Sequence, residues 1–175
     1  MQDNSPVSPL LRHWPLVAFL ASAAMLAAAH AFETFAKLAP CHLCLKQREV
    51  YWVALSVAAI GVLTQRFAWA KRTRMAVLWL LAVAFLFGAG LAAFHAGVEW
   101  KWWPGPQTCT GGATVSIEDM NALLSGAKVT APACDVAAWR MFGLSMAGWN
   151  ALVSLGLAGL SFMAAMRAFK QGGLR

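Results

Sequence analysis

Residues 75–94, MAVLWLLAVAFLFGAGLAAF, run for twenty positions without a charge. A helix of that length rises about 30 Å, the thickness of a bilayer's hydrocarbon core. Basic residues (Lys71, Arg72, Arg74) crowd its start, and His95 and Glu99 follow its end. Three further apolar runs share the chain: Leu16 to about Phe35, Val50 to Gln65, and Met141 to Met166. The second reaches spanning length only with the turns that precede it. Of the 175 residues 60% are hydrophobic and 12% charged, about half the charged share of a soluble domain. The chain therefore reads as a single all-α integral membrane domain. We expect a four-transmembrane-helix bundle with a short surface helix in its second outer loop.

The segments divide as follows: a tail over 1–15, a first span over about 16–35, and an outer loop over 36–46. The second span covers about 47–65, an inner connection 66–74, and the third span about 75–95. A long outer loop covers 96–141, the fourth span about 142–166, and a tail 167–175. The first apolar run exceeds the roughly 7–15 residues of a signal-peptide core, and we read it as a retained helix. Charge sets the orientation. The side holding both tails and the 66–74 connection carries eight basic residues against Asp3, whereas the opposite side carries six bases and six acids. By the positive-inside rule both termini are cytoplasmic and the two cysteine-bearing loops face outward. The net charge of +7 thus reports topology, and no nucleic-acid partner is implied.

The first outer loop ends in Pro40-Cys41-His42-Leu43-Cys44-Leu45-Lys46-Gln47-Arg48. Pro40 suits the first turn of a helix, since its missing N–H would have no partner there. A helix starting at Pro40 puts Cys41 and Cys44 on one face, with Arg48 four positions beyond Cys44. A thiolate at Cys44 would feel both the helix N-terminus and a guanidinium, and both lower a thiol pKa. That is the chemistry of a redox-active dithiol; two core cysteines at a helix start is the plainer reading.

The second outer loop opens with His95-Ala-Gly-Val-Glu99, then three tryptophans (Trp100, Trp102, Trp103) and Pro104-Gly-Pro106. Such a tryptophan cluster suits a membrane–water boundary, as does Trp14 at the start of the first span, and Tyr51 and Trp52 in the second. Cys109 follows. Ile117, Met120, Leu123 and Leu124 then share one face of the expected surface helix, and Cys134 closes the loop. Gly88 and Gly90 would let a neighbour approach the third span. Asn150, in the fourth, reads as an interhelical hydrogen-bonding residue.

All four cysteines of the chain fall on the outward side. An outward compartment permits disulfides, so an even set reads as two pairs, with three possible connectivities. A Cys41–Cys44 ring is of the kind redox enzymes use, and a pair across Cys109 and Cys134 serves either as a staple or as an exchange partner. Cys41, His42, Cys44, His95, Cys109 and Cys134 could also furnish a tetrahedral metal site. Against it, Arg48 beside the dithiol would repel a cation and the outer pair lacks tight spacing. We expect no metal. Leu45 excludes the C-x-x-C-H motif of covalent haem.

Together these motifs resemble the bacterial disulfide bond formation protein B (DsbB) family. The resemblance rests on Cys41-x-x-Cys44 with Arg48, on His95-Ala-Gly-Val-Glu, and on Trp103-Pro-Gly-Pro-Gln-Thr-Cys109. Cys134-Asp135, Trp139 and Phe142-Gly-Leu-Ser-Met-Ala-Gly-Trp-Asn150 complete it, so that it covers the first to the fourth span. It implies a multi-pass bacterial inner-membrane oxidoreductase with its active cysteines facing the periplasm, in contact with membrane lipid. Such a protein reoxidises a periplasmic DsbA-like thiol oxidase and passes electrons to the quinone pool, with ubiquinone or menaquinone as bound acceptor. It further implies redox-active disulfides Cys41–Cys44 and Cys109–Cys134, with Cys109 forming the mixed disulfide with the carrier. Cys44 would be the sulfur nearest the quinone. Arg48 would stabilise the quinone or the Cys44 thiolate, and His95 would contact the quinone or aid proton delivery. A vitamin K epoxide reductase-like enzyme also uses two dithiols on a helical bundle, but there the C-x-x-C follows the loop cysteines. Outside enzymes, the alternative is a membrane metal-binding or assembly protein with a structural disulfide.

Overall fold

The computed structural model describes residues 8–67, 71–106, 124–125 and 133–172. A short α1 (Ser8–Arg12) leads into α2 (Trp14–Thr34), followed by α3 (His42–Arg66) and α4 (Lys71–Glu99). A minimal hairpin, β1 (Arg140–Met141) and β2 (Leu144–Ser145), then precedes the last helix, α5 (Met146–Gly172). Among the described residues the architecture is helical, apart from one antiparallel pair of two-residue strands.

Three of these helices, Trp14–Thr34, Lys71–Glu99 and Met146–Lys170, are long and apolar enough to cross a membrane. α3 has 25 residues, about 37 Å at 1.5 Å per residue, but Lys46, Gln47, Arg48 and Glu49 dilute the apolar character of its first turns. The expected surface helix around 117–124 lies outside the described residues but for its last position.

Small and polar side chains line much of the interior beside a few large ones such as Trp14, Leu81 and Phe85, while many large apolar side chains face out. α4 buries Val77, Leu81, Phe85, Gly88, Ala92 and His95, positions three or four apart and hence on one face, and exposes Leu80, Val83, Leu86 and Phe87. α3 follows the same spacing, burying Leu43, Gln47, Tyr51, Ala54, Ala58 and Gly61. An apolar rim around a finely packed interior with polar contacts is the arrangement lipid favours, because lipid tails compete with leucine but not with a hydrogen bond.

Close approach is set by glycine at two places. A Cβ on Gly61 would lie 2.7 Å from Pro15 and 2.9 Å from Val77, so α2, α3 and α4 converge there. At Gly88 a Cβ would meet Val50 at 3.1 Å and Ser154 at 3.6 Å, joining α3, α4 and α5. Gly90, paired with Gly88 on the sequence, faces open space instead, because two residues along a helix is a rotation of about 200°.

Two tryptophan and tyrosine anchors also move inside. Trp14 is fully buried, and its indole N–H donates to Ser161 Oγ at 2.8 Å. With its one polar atom satisfied, the ring gains more from packing between α2 and α5 than from a boundary position. Tyr51 is buried for the same reason, its hydroxyl held by Asn150 and Ser154. Trp52, its neighbour, is exposed.

Candidate active site

The helix carrying the C-x-x-C begins at His42, two residues later than Pro40 suggests. Cys41 is its N-cap, with extended backbone, and the Cys44 backbone N–H donates to the Cys41 sulfur at 3.2 Å. Pro40 lies just outside. The reason is that the first-turn N–H groups need an acceptor and a side chain at the cap position supplies one. Here a sulfur does the work usually done by a serine or aspartate oxygen.

Cys41 and Cys44 are both free thiols. Cys41 packs with Leu43 and Cys134 in one buried cluster, flanked by Cys44 and Leu91. Cys134, only 1% exposed, is disulfide-bonded, and since Cys41 and Cys44 are free its bond is to neither. The two cysteine-bearing loops, 90 positions apart between Cys44 and Cys134, thus meet at one point. Asp135, next in the chain, is held by Lys101 at the end of α4. The lysine keeps the Asp135 carboxyl below its ordinary range. Cys109 and its neighbours lie outside the described residues.

The pair is asymmetric. Cys44 is shifted to lower pKa, chiefly by a hydrogen bond from the Cys41 side chain, with backbone N–H and Arg48 adding to it against burial and Glu99. Cys41 is shifted upward, by its role as donor to Cys44 and then by burial. The thiolate therefore resides on Cys44, the more accessible of the two.

Behind the dithiol runs a buried hydrogen-bond chain that crosses three helices. His95 Nε2 lies 3.6 Å from Cys41 Sγ, and Gln47 Nε2 lies 2.8 Å from His95 Nδ1. The Gln47 amide nitrogen also donates to the Leu43 carbonyl at 3.3 Å, and its oxygen accepts from Asn150 Nδ2. Asn150 Oδ1 in turn accepts from Tyr51 Oη at 2.6 Å and from Ser154 Oγ at 3.3 Å. The directions are mutually consistent. With Gln47 donating to Nδ1, the proton of a neutral His95 sits on Nε2, facing the Cys41 sulfur and the Cys134 backbone.

Arg48 lines the same cavity but spends its fork elsewhere. Nη1 pairs with Glu33 Oε2 at 2.5 Å and Nη2 donates to the Ala29 carbonyl at 3.1 Å, tying α3 to α2. Of the residues named from sequence, Cys41, Cys44, His95 and Cys134 come together, with Arg48 on the cavity wall. His42, on the opposite face of the first turn from the cluster, is exposed.

Glu33, Gln47 and Glu99 went unassigned in the sequence. Glu99 lies one turn beyond His95, with Oε1 3.8 Å from its Nε2, and is 8% exposed. The signal for Gln47 was present: Cys44, Gln47, Arg48 and Tyr51 share a face by their spacing of three and four. For Glu33 it was absent, because its partner is on another helix.

A cavity of about 370 Å³ opens over these groups. Met25, Leu26, Phe32, Trp139 and Val153 contribute apolar wall, while Cys41, Cys44, Arg48, His95 and Glu99 line it near the dithiol. Phe32 and Trp139 stand 5.3 Å apart across α2 and the segment before β1.

These features define a helical membrane protein with a buried dithiol set against a third, disulfide-bonded cysteine. The chain belongs to the family of disulfide bond formation protein DsbB, whose model matches residues 11–164. It is similar to disulfide bond formation protein B 2 of Pseudomonas entomophila (strain L48), with 29% identity over 168 residues, 92% of this chain and 95% of the relative. No solved structure matches it. Family membership assigns the chain, as a membrane oxidoreductase, to protein disulfide formation.

Proposed function

We propose that the protein reoxidises a periplasmic thioredoxin-fold dithiol carrier, of the DsbA-like kind, and passes the electrons to membrane quinone. In this reading α3 is a fourth span, both termini are cytoplasmic, and the cysteines face the periplasm of the bacterial inner membrane. The observation that carries it is the largely apolar cavity directly over the Cys44 thiol. Its volume falls within the range of small-molecule pockets, about 300–1,000 Å³. The wall suits a flat apolar ring, and Arg48 and the His95 imidazole offer polar contacts for ring oxygens.

The exchange balances in three steps. A carrier thiolate attacks Cys109 of a Cys109–Cys134 disulfide; the mixed disulfide resolves to release oxidised carrier and two loop thiols. Those thiols reduce a Cys41–Cys44 disulfide, restoring their own bond and leaving the inner pair as two thiols. The packing of Cys41 against Cys134 supports this contact between pairs, since exchange requires one sulfur to approach another in line. Re-forming the Cys41–Cys44 bond releases two electrons and two protons, and a quinone, when bound, supplies the two-electron acceptor. Cys41 hydrogen-bonds the Cys44 thiolate, His95 holds its Nε2 proton toward Cys41, and Arg48 adds positive charge to the cavity wall.

The test is a coupled assay in lipid vesicles. Reduced carrier added with quinone should be oxidised while an equal amount of quinone is consumed, and Cys44→Ser should stop both. Carrier oxidation without quinone loss would remove quinone from the reading. No carrier oxidation at all would remove the exchange.

A further inference from the structure

We propose that the reduced inner pair is a binding site for a soft divalent cation, with Zn²⁺ the fitting one, using Cys41, Cys44 and His95 as ligands and Glu99 as the fourth. The ligand atoms of Cys41, Cys44 and His95 all lie within 4.8 Å of one another. Cys41 Sγ and His95 Nε2 are 3.6 Å apart. With Zn–S near ~2.3 Å and Zn–N near ~2.05 Å, a tetrahedral angle sets sulfur and nitrogen about 3.6 Å apart, so that edge is already formed. Glu99 Oε1 is 3.8 Å from the same nitrogen, against about 3.4 Å for a tetrahedral nitrogen–oxygen edge. Glu99 lies outside the 4.8 Å group formed by the other three, so it becomes the fourth ligand only when its side chain turns toward the sulfurs.

A second observation points to a ligand. Glu99 Oε2 is buried without a hydrogen-bond partner. An orphaned buried oxygen is costly, and a cation bound on Oε2, the carboxylate oxygen other than the one 3.8 Å from His95, would relieve the cost. Of the two arguments against a cation drawn from the sequence, the spacing of the outer pair does not bear on this site, and the Arg48 guanidinium is paired with Glu33, which offsets part of its repulsion. Two thiolates, one carboxylate and Zn²⁺ leave a single negative charge, with Arg140 acting on Glu99 from the hairpin. Ligation through Nε2 needs the imidazole proton on Nδ1. Turning over the Gln47 amide would present its oxygen there, at the loss of the 3.3 Å bond to Leu43, with the Asn150 amide turning as well to keep the bond between the two; the Gln47 oxygen is then the kind of acceptor that metal-bound histidines use.

Binding releases the thiol protons and moves no electrons. Because both sulfurs are then held as thiolates on the metal, the bond between them cannot form. The site exists only in the reduced protein, and its occupancy stops reoxidation. That last consequence rests on the redox reading proposed above; the binding does not.

The test uses Co²⁺ as a spectroscopic probe on the full chain carrying Cys109→Ser and Cys134→Ser, reduced and free of quinone. We expect one equivalent of tetrahedral Co²⁺ with thiolate charge-transfer absorption, displaced by Zn²⁺ and absent once Cys41 and Cys44 are oxidised. His95→Ala and Glu99→Gln should each weaken Co²⁺ binding about tenfold or more. Far-UV circular dichroism and an unchanged cooperative unfolding transition in micelles check that each variant is folded. An octahedral spectrum, binding that survives oxidation, or affinity unchanged in both variants would overturn the site. In the four-cysteine parent, Zn²⁺ should raise the Tm of the inner-pair-reduced form only, and an equal shift in both forms would also overturn it. Tetrahedral binding in a protein that never consumes quinone would leave the site standing and remove the redox reading.

Discussion

Gly97 allows a sharp test of how the end of α4 is built. A Cβ at this position would lie 2.1 Å from Trp103 Cζ2 and 2.5 Å from its Cε2, so Gly97→Ala must expel the indole. Expulsion breaks the bond from Trp103 Nε1 to the Phe94 carbonyl, 2.9 Å long, and the stack on the Phe94 ring, whose centroid is 5.8 Å away. The hydrogen bond contributes about 1 kcal/mol and the stack about 1 kcal/mol. Lost burial of a half-covered indole adds ~1 kcal/mol. Against this loss, alanine favours a helix over glycine by about 0.8–1.0 kcal/mol. The net expectation is a destabilisation of about 2 kcal/mol in the parent. In a Trp103→Ala background the clash is gone and the same substitution should stabilise, by nearly ~1 kcal/mol. A reversal of sign between backgrounds, measured by equilibrium unfolding in mixed micelles, is the signature. The reasoning fails if Gly97→Ala is neutral in the parent, or if it shifts both backgrounds equally.

The remaining predictions concern the site. Because the Cys44 pKa is lowered chiefly by Cys41, Cys44 should be alkylated before Cys41 as pH rises in the reduced, quinone-free protein. Cys41→Ala should move Cys44 alkylation to higher pH; peptide mass spectrometry reads both, and first modification at Cys41 would contradict the asymmetry. Arg48→Lys keeps the charge but loses one arm of the fork between Glu33 and Ala29, so the apparent KM for quinone should rise about tenfold, ~1.4 kcal/mol. Arg48→Met should raise it further, and parent-like values in both variants would leave Arg48 a mere tie between α2 and α3. Gln47→Leu removes the link between His95 and Asn150 and should cost about 1–3 kcal/mol. Asn150→Ala should then cost less in the Gln47→Leu background than alone, whereas full additivity would mean that the chain is not a unit.

The three long apolar helices were legible in the sequence because the constraint that creates them is local. In lipid each backbone N–H must find its acceptor within a few residues of its own helix, so an uncharged run such as 75–94 has few other ways to fold. The inward faces of α3 and α4 were legible too: polar and small residues at spacings of three and four mark them, and His95 and Gln47 follow from that register. The chemistry of Cys41-x-x-Cys44 at a helix start is equally local, though the structure moves the start by two residues, because a cap needs a side-chain acceptor and Cys41 provides it. Tertiary structure alone decided which groups meet. Trp14 turns inward because Ser161, 147 positions away, accepts its indole proton. Arg48 points to Glu33 rather than to the dithiol because α2 presents a carboxylate within reach. Cys134 reaches Cys41, and Glu99 reaches the dithiol cavity, through helix packing that no spacing along the chain encodes. Residues distant in sequence pair according to the shapes and charges of whole helices, and those become defined only when the bundle closes.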